Sequence, residues 1–148
     1  NAVLLCSWPP IPGISAYCVE LAQSLAPQTR LSVLTFSQMY PDWLYPKGPV
    51  PIDHSFPTPA HLAVRRSLAW YNPLGWIIAG LRVDGEILHI QLWSLPIVPV
   101  LWTVALLAKM RGKRCVLTIH NLAGHERKRR YRSPCQRRTS RRALSRVG

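Results

Sequence analysis

The chain has 148 residues, 48% of them hydrophobic, which is enough for one domain with one sizeable core and too much for a disordered chain. Its formal net charge of +13 would suit a nucleic-acid binder, but the charge is unevenly placed. Residues 1–126 hold nine Lys/Arg and six acids, whereas residues 127–148 hold ten Lys/Arg and no acid. The body of the chain is thus nearly balanced, and any contact with nucleic acid or anionic membrane falls to a basic tail.

In chain order, Ala2–Ser7 (AVLLCS) reads as a buried strand. Trp8 to Gly13 (WPPIPG) is a rigid loop. From Ile14 to Leu25 the apolar residues Ile14, Tyr17, Cys18, Leu21 and Leu25 follow helical spacing, and Pro27 closes the segment. Leu31–Phe36 is a second strand, so the opening is a strand-helix-strand unit. Gly13 lies where backbone amides at a helix start can face an anion, although a plain helix-entry turn explains one glycine equally well.

Gln38 to Pro59 carries six prolines and reads as a surface excursion, with room for a short strand around Val50 to Phe56. Leu62 to Leu81 has helical character interrupted at Asn72-Pro73. Trp70, Tyr71 and Trp76 are expected to pack within the core or between helices. Asp84-Gly85 turns the chain into the next strand.

Glu86 to Glu126 is the most informative stretch. Ile87–Trp93 is an apolar, β-compatible run. Leu95–Met110 is long enough for a helix, with Pro96 in its first turn, cations crowding its end and Gly112 as a stop. Arg114–Ile119 is another apolar run, ending in His120-Asn121. The 22 uncharged residues Ile87–Ala108 reach the length of a membrane span. His89, Gln91, Pro96, Pro99 and the change of composition at Leu95 favour a buried strand followed by a buried helix.

The fold class expected is therefore α/β: a Rossmann-like, doubly wound, largely parallel sheet over residues 1–126, followed by a disordered low-complexity tail, 127–148. Ligands of such folds collect beyond the carboxyl ends of the strands. There the sequence offers Gly13, the Gln91–Ser94 turn, and Thr118, His120, Asn121, His125 and Glu126. His120 is expected to emerge at that rim, either as a functional group or merely hydrogen-bonded to a loop carbonyl.

Cys6, Cys18, Cys115 and Cys135 form no CxxC pair and have no metal-ligand spacing with the histidines, so no metal is expected and reduced, buried thiols of a cytoplasmic protein are. No basic leader precedes the first strand. GxGxxG, GxSxG and HExxH are all missing, against dinucleotide oxidoreductases, serine hydrolases and zincins.

The opening PPIPGISAYCVELAQSLA followed by LSVLTF, and still more the block EILHIQLWSLPIVPVLWTVALLAKMRGKRCVLTIHNLAGHE, resemble the amino-terminal domain of retaining GT-B glycosyltransferases. That group includes glycogen synthase, sucrose synthase and many bacterial mannosyl- and glucosyltransferases. The resemblance runs from about Val3 to Glu126. It implies a nucleotide-sugar donor, a hydroxyl acceptor (sugar or lipid-linked) and no cofactor. It also implies a glycine loop near donor phosphates or acceptor, matched by Gly13 with Ile14 and Ser15. A histidine beside the reacting sugar matches His120, with Asn121 next to it and His125-Glu126 as a further polar pair. The family's second, donor-binding Rossmann unit with its E-x7-E motif has no counterpart here. The chain is thus expected to be a truncated acceptor-side domain, inactive by itself and cytoplasmic or peripheral to the membrane. The basic tail is either natural or read in a shifted coding frame, and its expected activity is non-specific anion binding.

Overall fold

The computed structural model describes residues 1–11, 14–41 and 62–120. They form a five-stranded sheet in which every pairing is parallel. The strands are β1 (Ala2–Leu5), β2 (Leu31–Gln38), β3 (Ala63–Ala69), β4 (Ile87–Leu92) and β5 (Arg114–Ile119), and the helices are α1 (Ser15–Leu25), α2 (Pro73–Leu81) and α3 (Val98–Met110). The order across the sheet is β3-β2-β1-β4-β5. β1 is central, with Ala2 paired to both Leu31 and Ile87. The chain therefore winds outward twice from the middle, which places the topological switch beyond the ends of β1 and β4.

Side chains alternate across the strands and feed two core layers. Val3, Leu5, Leu34, Phe36, Leu88 and Ile90 pack on one face with Ala79 of α2 and Val100, Leu101 and Val104 of α3. Leu4, Cys6, Leu31 and Val33 pack on the other with Trp8 and with Cys18, Val19 and Ala22 of α1. Burial lifts the Cys6 thiol well above its ordinary pKa, reinforced by Cys18 beside it, so Cys6 remains a protonated packing group.

Ile87–Ala108 is not one helix. It divides into β4, a 3-10 turn at Leu95–Ile97 and α3, as the change at Leu95 suggests. Among the described residues no helix is long and apolar enough to cross a membrane. Gly112 stops α3 with φ +78°, a conformation other residues seldom adopt.

Four expectations are corrected. Residues 62–81 do not form one interrupted helix: Ala63–Ala69 is β3, paired with β2, and only then does α2 begin. Pairing to an existing strand outweighs local helical propensity there. Asn72-Pro73, read as an interruption, is a helix start, with Gly75 N–H donating to Asn72 Oδ1 at 3.0 Å and Pro73 at the first helical position. Trp70 and Tyr71 are exposed, while Trp76 packs on the core. Among the described residues β5 is an edge strand, not a buried one: Val116, Leu117 and Ile119 are 45–53% exposed, and Cys115 is exposed. Residues 50–56, Cys135 and the tail 127–148 lie outside the described residues.

Candidate functional site

Two strands supply the polar centre because each repeats a polar residue at period two. In β4 (ILHIQL), Leu88 and Ile90 point to the α2–α3 side, so His89 and Gln91 point to the α1 side. The register places Gln91 beside Thr118. Thr118 and His120, again two apart, share that face.

The four side chains form a continuous hydrogen-bonded chain. Thr118 Oγ1 lies 2.8 Å from His89 Nε2, Gln91 Nε2 lies 3.0 Å from the same nitrogen, and His120 Nε2 lies 2.7 Å from Gln91 Oε1. Gln91 is completely buried, so its amide must find all its partners within the protein. With its oxygen toward His120 and its NH₂ toward His89, the proton inventory follows. His120 Nε2–H donates to Gln91. His89 Nε2 shares its one lone pair between the Gln91 NH₂ and the Thr118 hydroxyl, so its proton resides on Nδ1. His120 then keeps a lone pair on Nδ1 that no described residue engages.

Both imidazoles favour the neutral form. Burial lowers the pKa of His120, and burial together with the nearby His120 lowers that of His89. At neutral pH the site thus presents an uncharged imidazole with a free acceptor nitrogen. His120 is anchored by its backbone N–H, which donates to Leu92 O at 2.9 Å, and by Tyr17 of α1, whose ring meets it edge-on at 4.8 Å and 75°. The first turn of α1 and the end of β5 therefore meet at the carboxyl rim of the sheet.

The other residues expected at the site divide into three groups. Gln91 is part of β4 itself, bridging two histidines, and does not sit in the turn that follows. Ile14 and Ser15 stand at the start of α1, with Ser15 buried and Ile14 packed against the α1-side core. Gly13, Asn121, His125 and Glu126 lie outside the described residues. Sequence reasoning missed His89 and Tyr17 and named Thr118 only as one of the polar residues at the rim. The signal for two of them was present, since H-x-Q followed by T-x-H on adjacent parallel strands aligns four polar groups on one face. Among the described residues no three His, Cys, Asp or Glu side chains gather as metal ligands do.

Residues 12–147 match the family described as Glycosyl transferase 4-like domain. The chain belongs to that family. The match runs through the basic segment, beyond the Val3–Glu126 span in which the resemblance is legible by eye. No curated protein matches the chain, and no solved structure does. A glycosyltransferase-type role accords with the Rossmann-like sheet, whose ligand-binding rim is where His120 stands.

Proposed function

We propose that the chain is the acceptor-side domain of a retaining GT-B glycosyltransferase, of the group that includes glycogen synthase, sucrose synthase and bacterial mannosyltransferases. The complete enzyme moves a sugar from a nucleotide-sugar donor to a hydroxyl acceptor, itself a sugar or a lipid-linked group. Donor binding belongs to a second Rossmann-like half, so residues 1–148 by themselves carry out no transfer. The reduced, buried Cys6 and Cys18 suit the cytoplasm.

The observation that carries this reading is the tie between His120 Nε2 and the buried Gln91 in a glycosyl transferase 4-like domain. It fixes the tautomer of the ring, leaving Nδ1 unprotonated and engaged by no described residue. An uncharged nitrogen acceptor suits a sugar hydroxyl, which donates to it, and does not suit a phosphate, which needs a donor or a cation. His120 accordingly orients a hydroxyl group beside the reacting carbon. Gly13, Asn121, His125 and Glu126 complete the cleft in the same reading, while charge developing on the donor phosphates is met by the donor-binding half.

A resonance titration of this chain tests the assignment. Simple glycosides should shift the His120 imidazole signals, and free nucleoside diphosphates should leave them unmoved. The opposite pattern, nucleotide moving His120 and glycosides silent, would remove His120 from the acceptor side.

A further inference from the structure

α2 and α3 lie side by side on one face of the sheet. A Cβ on Gly80 would stand 2.9 Å from Leu107 Cβ and 3.2 Å from Val104 Cα. Their inner sides are spent on the core. Their outer sides are also apolar. On α2, Leu74 (71% exposed), Ile77, Ile78 and Leu81 follow i, i+3, i+4, i+7 spacing, and on α3, Trp102 (70%), Leu106 and Met110 (74%) follow i, i+4, i+8. A helix face kept in water normally carries charged residues at these positions. Here α2 has none and α3 has only Lys109.

The surrounding charges are mostly positive. Arg82 follows α2, while Lys109, Arg111 and Lys113 gather at the end of α3, where the Arg111 guanidinium donates to the Leu81 carbonyl. Neither helix has an acidic residue. Nearby Asp84 is held by Arg65 at 3.1 Å, and Glu86 lies in the turn before β4. An apolar stripe that includes exposed Trp102, follows exposed Tyr71 and ends in a cluster of cations has the composition of an interfacial helix surface. Against these cations a second copy of the same face would bring only Glu86 and Asp84, the latter already held by Arg65.

We propose that the outer face of α2 and α3 seats this protein on an anionic lipid bilayer, with Leu74, Ile78, Trp102 and Met110 entering the headgroup boundary. The four cations meet lipid phosphates. Among the described residues no helix is long and apolar enough to cross the bilayer. The association does not depend on the role given to His120.

The full chain should float with vesicles of phosphatidylcholine and phosphatidylglycerol and much less with phosphatidylcholine alone. Leu74→Glu/Ile78→Glu should lower the partition coefficient by roughly ten- to a hundredfold, since it replaces inserted apolar groups with two repelled charges, while the far-ultraviolet circular dichroism stays unchanged. Brominated lipid should quench the wild type more than Trp102→Phe. Attraction through the basic tail would vanish at high salt and would ignore the double variant, so equal binding by both proteins overturns the proposal. So does failure of the wild type to bind mixed vesicles. A lipid-free dimer that the double variant converts to monomer would assign the face to a second copy instead.

Discussion

Removing His89 should cost more than removing the buried amide that binds it. In His89→Leu, the NH₂ of Gln91 loses its acceptor at a site with no exposed surface, where water cannot replace it. The unmet desolvation of that group costs about 1–3 kcal/mol, and the lost hydrogen bonds add about 1 kcal/mol. Thr118 is only partly buried and can turn to solvent. We expect about 2–4 kcal/mol of destabilisation. Gln91→Met, close in shape, removes the orphan itself. His89 keeps Thr118 as its donor and His120 is accessible enough to take water, so about 1 kcal/mol is expected. The double variant His89→Leu/Gln91→Met should therefore be more stable than His89→Leu, with a coupling of about 1–2 kcal/mol between the two positions. Urea unfolding of the four proteins measures each term. Additive losses, or a milder effect of His89→Leu than of Gln91→Met, would show that the chain of hydrogen bonds is not closed as described.

Two further expectations are open to the same kind of measurement. The folded-state pKa values of His89 and His120 are lowered, so in acid the unfolded chain takes up protons first, from about pH 6.5 downward. The stability contribution is complete above that pH and declines as pH falls toward the folded values; urea midpoints across this window should fall with acid, and His89→Phe should flatten the slope. Gly80→Ala forces α2 away from α3, because the new carbon would stand 2.9 Å from Leu107 Cβ; a loss of about 1–3 kcal/mol is expected, and thermal melting at the wild-type temperature would contradict the packing of the two helices.

The parallel sheet was legible where burial and pattern coincide. β1, β2 and β4 read as apolar runs because both of their faces are covered, and the change from strand to helix at Leu95 followed from composition and Pro96. β3 was not legible: in AVRRSLA only Leu68 and Ala69 are buried, so an edge strand with exposed Arg65 and Arg66 carries neither alternation nor a continuous apolar run. β5 was placed correctly, but its burial was not, since apolar residues on an edge strand look the same in sequence as those in a central one. At the site, His120 was found because it ends a strand. His89 was passed over because a histidine inside an apolar run gives no local sign of function. Its significance lies in the register that brings Gln91 beside Thr118, which is a tertiary fact.

The most direct test of the glycosyltransferase reading is the turnover of the two-domain enzyme carrying His120→Ala, measured with its nucleotide sugar and hydroxyl acceptor. Loss of one orienting group beside the reacting sugar should lower kcat by about 10²-fold. The circular dichroism and the urea midpoint should change little, because His120 is partly exposed and its removal leaves only Gln91 Oε1 to be satisfied by entering water. Full turnover in that variant, with the fold intact, would contradict the place given to His120.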